Sequence, residues 1–590
     1  MSIEFETTAA KYIMEWGEWI EKLQLLAILK ISRKKAGIYL EKLIKLQNSD
    51  GGFPVNWRRG SRSGIIETAV ALEALSNLKA DRKIVLNAVK FLEKKQLPNG
   101  SWMEENEERN RKVEPTIITA KVIRGIAAYD KKRSCLEKAI RYLMDNQRTD
   151  GLWLSSSMKN ESSLEASSEA LIALLEVNNP KIEHALKFGI DALWSTFMEK
   201  FTEEWREPSK EALHIAEALI KAGYGDAEAV RKILQSYVKA ERWRFGDRRS
   251  ISTDEAVDAI RILILAGVID AEVIKKVVEE LLDKRERLKA IIEKKEEDVR
   301  NYFLIRFEEI GLRINDEKRK ILLGCFIYAL LDQFFWAAED FDPQSEYRRI
   351  TGIIGPLNQL ENYAEIEKVR GALFRSRVLR GIARRRKMEV ARSIVLFTKF
   401  LKKYGENESF REFAEKLRAY TLFELGPQIT GWNASHRLGL LLRSFSKGEK
   451  SLPKLYEALK LSLECFPAVG SKIATLFSYY SGWIFNLWPE IKKYIECPID
   501  WNTVKPYGNI GLSCLTMEEL KKDPKKTGDA IKKLSRELFP DDPAKISFLW
   551  VVGHEWCTKP YKCYGNGIRK CWLIELCRGE RYEKREENMG

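Results

Sequence analysis

Apolar positions recur at helical spacing along nearly the whole chain. The N-terminal half adds a longer period to that pattern. Ala36 to Phe53 ends in Gln47-Asn48-Ser49-Asp50-Gly51-Gly52-Phe53. Ala88 to Trp102 carries Phe91-Leu92, then Gln96, Gly100 and Trp102, and Ala139 to Trp153 carries Tyr142-Leu143, then Gln147, Gly151 and Trp153. The three glutamines lie 49 and 51 residues apart. Each copy predicts a helix with an aromatic-aliphatic pair, a glycine turn, and an aromatic that packs under the next copy. Weaker copies end near Trp205 and near Trp243 to Phe245.

Between the copies lie second helices rich in small residues, marked by Glu67-Thr68-Ala69, Thr119-Ala120, Glu165-Ala166, Glu211-Ala212 and Glu255-Ala256. Small residues permit close helix approach, as an inner ring requires. About twelve helices fit before residue 295, enough to close an α/α toroid of alternating inner and outer helices. Further on, Ile321 to Gln333, the run at 385–405 and Leu452 to Glu464 also read as helices, so the expected fold class is all-α.

The Gln-x-x-x-Gly-x-Trp/Phe signature resembles the prenyltransferase and squalene-cyclase repeat over roughly residues 20–270. Cyclases of that family use an Asp-x-Asp-Asp acid at the head of an inner helix, and the comparable start here, Ile65-Ile66-Glu67-Thr68-Ala69, lacks it. Protein prenyltransferases use an Asp, Cys and His zinc set, whereas this half has only Cys135, His184 and His214, without ligand spacing. Glu67, Glu165 and Glu255 line a cavity or serve as caps and first-turn dipole partners; the pattern fits both. The expectation is a binding or scaffolding module.

Leu281 to Arg300 is dense in both charge signs and has neither Pro nor Gly, which reads as a solvent-exposed linking helix. The expected division is a toroid over 1–285, a linker over 286–304 and a second domain over 305–590. The chain's 590 residues exceed what one core usually serves. Charged content of 32% fits a globular protein rather than a disordered one. No apolar run approaches the roughly 18 residues of a membrane span. Met1 to Met14 has no signal core, so a cytoplasmic protein is expected. The net charge of +15 divides as +3 for residues 1–300 and +12 for 301–590. Eight Lys and Arg between Arg375 and Arg392, with Glu389 the only acid, suit either a polyanion such as nucleic acid or a solvated helix face.

The second half carries the motifs that look like chemistry. Phe466, Pro467, Ala468, Val469 and Gly470 form a tight turn, and Ser471-Lys472-Ile473-Ala474 opens a helix whose N–H groups can hold a phosphate. Pro498-Ile499-Asp500-Trp501-Asn502 follows, then Lys505 and Asn509-Ile510-Gly511-Leu512. Cys557, Cys563, Cys571 and Cys577 close the chain within 21 residues, a metal-ligating density. Lys472 and Asp500 also have plain uses, a helix-start lysine on a phosphate and an N-capping aspartate. The insertion between them carries Tyr479, Tyr480, Trp483, Phe485 and Trp488, as core or as a base pocket.

In that order the three motifs, over roughly 305–580, resemble the helix-hairpin-helix DNA glycosylase superfamily, in its endonuclease III-like iron–sulfur branch. The resemblance implies a DNA N-glycosylase with AP lyase activity acting on double-stranded DNA with a damaged or mispaired base. Asp500 would assist glycosidic cleavage, Lys472 would form a Schiff base, and the 466–471 turn with Lys505 would hold DNA. The four cysteines would ligate a [4Fe–4S] cluster, with zinc as the competitor. The sequence departs from that family in the middle cysteine spacings, in Ala468 for a glycine, and in the 28-position separation of Lys472 and Asp500. The alternatives are a non-catalytic DNA-binding protein and an isoprenoid-handling toroid enzyme.

Overall fold

A computed structural model describes residues 3–106, 111–112, 115–156, 159–177, 182–203, 210–223, 252–332, 343–376, 382–404, 409–428, 432–448, 450–515, 517–522, 524–557 and 571–577. The chain divides into two compact units, Met1–Lys284 with Leu512–Leu515, and Arg285–Gly511 with Thr516–Gly590. Both are mostly helical.

The first unit is built from the repeat. Helices α1 (Ile3–Trp16), α2 (Trp19–Ile28) and α3 (Gly37–Ile44) precede α4 (Ile65–Asn77), α5 (Arg82–Lys95), α6 (Pro115–Tyr129) and α7 (Ser134–Asp145). Then come α8 (Leu164–Val177), α9 (Glu183–Glu203), α10 (Lys210–Lys221) and α11 (Thr253–Leu265). The even-numbered helices pack in sequence, α2 on α4, α4 on α6, α6 on α8 and α8 on α10; α11 then packs on α10 and back on α2. These six helices form a closed inner ring, with α1, α3, α5, α7 and α9 against its outside.

Each type of helix has its own burial pattern. Outer helix α7 is one-sided: Cys135, Leu136, Ala139, Ile140 and Leu143 are buried while Glu137, Lys138 and Arg141 face water. Inner helix α6 is buried nearly all round, from Thr116 to Ala127. A side chain at Gly125 would put its Cβ 2.6 Å from the carbonyl oxygen of Ala69, so α4 and α6 approach at backbone distance there.

The repeat signature is a set of backbone ties. Gln47, Gln96 and Gln147 each donate through Nε2 to the carbonyl of Gly51, Gly100 or Gly151, at 2.9–3.0 Å. The same nitrogens reach a carbonyl in the first turn of the next outer helix, at Ile84, Cys135 and Ala185. The following aromatics, Phe53, Trp102 and Trp153, are fully buried. Their backbone N–H groups donate to hydroxyls on the next inner helix, Thr68, Thr119 and Ser167. Trp102 and Trp153 also donate their indole N–H to Leu92 and Leu143.

Short antiparallel hairpins, absent from the all-α expectation, then lead into the inner helices. They pair β1 (Phe53–Pro54) with β2 (Ser63–Gly64), β3 (Glu105–Asn106) with β4 (Arg111–Lys112), and β5 (Leu154–Ser156) with β6 (Lys159–Ser162). The weaker copies near Trp205 and Trp243 lie outside the described residues.

The long helix α12 (Ala271–Glu309) contains the division between the units. Leu288, Ile292, Val299 and Phe303 along it are buried, so the charged stretch is packed on one side rather than solvent-exposed all round. In the second unit α13 (Lys318–Asp332) is buried from Ile321 to Ile327 and supplies Phe326 to an aromatic core. Phe326 stacks on Phe397 of α14 (Arg384–Tyr404) at 4.1 Å and meets Phe466 and Phe477 edge-on at 6.0 Å. Helices α15 (Leu452–Glu464) and α16 (Ser471–Ser478) flank the 466–470 turn. Tyr479, Tyr480, Trp483, Phe485 and Trp488 are all buried, which settles them as core. Helices α17 (Trp501–Asn509) and α18 (Phe548–Glu555) touch through Gly553, where a Cβ would fall 1.7 Å from the Asn502 oxygen.

Gly100 sits at φ +89, and a Cβ there would meet the Lys138 oxygen at 2.3 Å. Gly100→Ala is expected to cost about 2–4 kcal/mol, combining left-handed strain with a backbone clash. Gly37→Ala, with nothing within 4 Å of its Cβ, should leave stability unchanged within about 0.5 kcal/mol. Denaturant unfolding of the two variants checks this.

Candidate functional site

The ring's interior is charged. Inner helices present inward pairs at i,i+3 spacing, among them Lys121 and Arg124 on α6, His214 and Glu217 on α10, and Asp258 and Arg261 on α11. Arg124 reaches Glu73 at 3.5 Å and Glu169 at 3.1 Å, and Lys121 reaches Glu169 at 3.0 Å. His214 stands 3.6 Å from Glu169 and 3.5 Å from Asp258. Arg261 closes the chain on Glu217 at 2.9 Å and Asp258 at 2.8 Å. Burial alone would raise the carboxyls of Glu169, Glu217 and Asp258. The facing cations (Lys121 and Arg124, or Arg261) outweigh it and hold all three below the usual carboxylate range. A cavity of about 120 Å3 remains among these groups, below the roughly 300–1,000 Å3 of small-molecule sites.

A different arrangement occupies the head of α4. Glu104, two residues after the repeat's Trp102, is buried at 9% exposure. Its Oε2 accepts from the N–H groups of Ile65 at 3.1 Å and Ile66 at 3.4 Å, the first turn of α4. Its Oε1 accepts no hydrogen bond among the described residues and has Arg62 Nη1 at 3.8 Å. Burial raises this carboxyl, the charge of Glu67 raises it further, and the two N–H donors and Arg62 only partly oppose them.

Gly64 permits the pairing, since a Cβ there would lie 2.1 Å from Glu67 Oε2 and 3.1 Å from Glu104 Oε1. Glu67 Oε1 in turn accepts from the Asn56 N–H at 2.9 Å. Asn56 and Trp57 both hold φ near +55, a strained conformation for non-glycine residues. Half-buried Trp57 meets Trp19 edge-on at 5.5 Å. The sites expected at Glu165 and Glu255 are not in this arrangement: Glu165 is exposed, and Glu255 makes a capping box with Ser252.

Asp500 is the N-cap of α17, accepting from Asn502 and Thr503, and its second oxygen accepts from the Trp550 indole at 2.9 Å. Burial raises its carboxyl, with Asp332 adding to the effect and Trp550 and Lys472 opposing it. It therefore joins α17 to α18. Lys472 is 38% exposed and ion-paired with Asp332 at 2.9 Å. Phe466 and Val469 are buried, and Ser393 and Arg386 donate to the carbonyls of Pro467 and Ala468. That turn, with Gly470 and Ser471, is a joint against α14. Lys505 donates to the Gly553 carbonyl at 3.4 Å near the end of α18, and burial lowers its amine. Arg385 and Arg386 of the basic run pair with Glu389, and Lys387 is buried over the Phe374 ring.

Cys557 and Cys571 are buried, Cys577 is half-buried, and Cys563 lies outside the described residues. Among the described residues no three His, Cys, Asp or Glu side chains group as a metal site. No helix among them is long and apolar enough to cross a membrane.

A family model described as squalene-hopene cyclase C-terminal domain matches residues 20–210. Drimenyl diphosphate synthase from Streptomyces showdoensis is 33% identical over 115 residues, 19% of this chain and 21% of that protein. The chain thus spans about a fifth of the length of that curated relative. These matches overturn the DNA-repair expectation. The helix-hairpin-helix glycosylase resemblance, the N-glycosylase and AP lyase activities, and damaged double-stranded DNA as partner are withdrawn in favour of the squalene-cyclase-like α/α ring. Lys472, Asp500 and Lys505 make the contacts described above, with Asp332, with the first turn of α17 and Trp550, and with the Gly553 carbonyl.

Arg124→Met would leave Glu73 and Glu169 without their shared cation. It is expected to cost about 3–5 kcal/mol, as for other broken buried pairs. Because Glu169, Glu217 and Asp258 are depressed in the fold, their contribution is present above the carboxylates' ordinary range. It is lost as pH falls through their lowered values. Melting curves from neutral to acid pH should show wild type losing stability steeply and Arg124→Met less so.

Proposed function

We propose that the N-terminal ring handles a linear isoprenoid diphosphate and begins its cyclisation by protonation, with Glu104 as the proton donor. The cyclase match over residues 20–210 and the name of the diphosphate synthase support the substrate class. The observation that carries the chemistry is Glu104 itself. It is a buried carboxyl, raised by burial and by Glu67, at the head of an inner helix, with one oxygen that accepts no hydrogen bond among the described residues and has Arg62 at 3.8 Å. That is where the resembling cyclases carry their acid, on a different residue pattern.

The small central cavity argues that the hydrocarbon lies at this end of the ring rather than inside it. The acid O–H of Glu104 adds its proton to a terminal alkene carbon, whose π pair becomes the new C–H bond. A tertiary cation remains at the neighbouring carbon. The next alkene's π pair closes the ring, and a proton lost to water ends the sequence with the diphosphate retained. The Ile65 and Ile66 N–H groups and Arg62 hold the carboxylate that protonation leaves behind. Trp57, adjoining the Glu67-bound Asn56, offers a ring face to the cation.

Glu104→Gln should lower cyclic product from farnesyl or geranylgeranyl diphosphate by about 10²–10⁴-fold. Chromatography of the dephosphorylated products reads this, and undiminished product would sink the proposal. A carboxyl raised in the fold loses folding stability as pH climbs from its unfolded toward its folded value. The same variant should therefore be as stable as wild type or more so at neutral pH, separating lost chemistry from lost fold. Glu67→Gln removes the like charge, so the alkaline limb of the rate profile should move to lower pH.

A further inference from the structure

We propose that the second unit holds a binding site for a phosphoryl dianion, the end group of a phosphate monoester, among Lys460, Lys532, Arg536 and Glu496. This stands apart from the proposed cyclisation, which uses the head of α4 in the first unit.

Three elements of the second unit bring one carboxylate and three cations together. Lys460 lies on α15, and Lys532 and Arg536 lie one turn apart on the helix Pro524–Leu538. Glu496 follows the single turn Pro489–Tyr494. Its Oε2 has Lys460 Nζ at 3.8 Å and Lys532 Nζ at 3.4 Å, and its Oε1 pairs with Arg536 Nη2. Among the described residues none of the three cations meets another carboxylate, so the group holds two positive charges in excess. Burial alone would raise the Glu496 carboxyl; Lys460, Lys532 and Arg536 outweigh it and hold the group below the usual carboxylate range.

The cluster is partly withdrawn from water. The side chain of Glu496 is 15% exposed, that of Lys460 21% and that of Lys532 35%. Buried Tyr456 forms an aromatic floor, with Lys460 Nζ 5.9 Å from its ring and Tyr494 tilted against it at 6.4 Å. Lys493, which makes no ion pair among the described residues, stands over the Tyr494 ring at 5.2 Å, so the rim is positive as well. Like charges held this way repel one another with less screening than on an open surface. One carboxylate offsets only one of the three.

The excess selects the ligand. Lys460 and Lys532 share one oxygen of Glu496, so their ammoniums are near enough to share a second oxyanion. An ammonium has three N–H donors and a guanidinium five, and a single contact with Glu496 leaves most of them for that oxyanion. A phosphate monoester carries close to two negative charges near neutral pH and presents three acceptor oxygens, matching both the excess and the three donor groups. A carboxylate or a phosphate diester brings one charge and leaves half of the excess unmet. A metal ion is repelled.

The test is a calorimetric titration of the full chain with inorganic phosphate, dimethyl phosphate and acetate at constant ionic strength and mildly alkaline pH. The expected result is saturable binding of phosphate, with the two monoanions weaker by roughly tenfold or more. Arg536→Gln, at a side chain 61% exposed, leaves the fold in place and should weaken phosphate by about tenfold. Glu496→Gln removes the competing carboxylate and should tighten it, which a merely structural ion pair would not do. Lys399→Gln, at an exposed position on α14, should change nothing. Phosphatidic-acid vesicles separate the two sources of such a group. Vesicle binding that free phosphate displaces assigns the site to a lipid headgroup, and phosphate binding without vesicle binding assigns it to a soluble monoester. Equal binding of dimethyl phosphate or acetate, no saturable binding of phosphate, or binding indifferent to both Arg536→Gln and Glu496→Gln would overturn the proposal.

Discussion

Three glutamine side chains carry the geometry of the ring. Each amide at 47, 96 and 147 spans two carbonyls, one in its own glycine turn and one in the first turn of the next outer helix. The turn can come that close only because it has no side chain there. Once it is seated, the next backbone N–H meets an inner-helix hydroxyl and the aromatic drops into the core. Helix spacing, hairpin entry and the inward phase of the inner helices all follow from these ties.

This explains which parts of the fold were legible. Gln, Gly and Trp in the repeat perform backbone tasks that few other residue types can perform, so their spacing speaks for itself. The hydroxyls of Thr68, Thr119 and Ser167 looked like small packing residues, because nothing local announces a hydrogen bond to a residue 14 to 17 positions earlier. The interior charges were missed through helical phase. Glu255 was the conspicuous acid on α11, yet it caps, while Asp258 three residues on faces inward. Glu104 carried no repeating signal, since the matching positions after Phe53 and Trp153 are Val55 and Ser155.

The C-terminal motifs misled for a related reason. A tight turn before a helix, a lysine in its first turn and a capping aspartate are common products of helix packing. In the second unit each has that ordinary employment: the turn is pinned to α14, Lys472 meets Asp332, and Asp500 fastens α17 to α18. Ala468 adopts φ +59 without a glycine, held by the packing of the turn on α14. The aromatic insertion between them fills the core that does the enforcing.

Closure of the inner ring has a thermodynamic meaning. An open stack of helical pairs loses repeats from its ends, one nearest-neighbour interface at a time. Here α11 returns to α2, so no inner helix is terminal and none needs a polar capping partner. Releasing any one of them breaks two interfaces at once and uncovers buried ions on both sides. Fraying is thereby suppressed, and the first unit should exchange its inner-helix amides through a single concerted opening rather than a graded series.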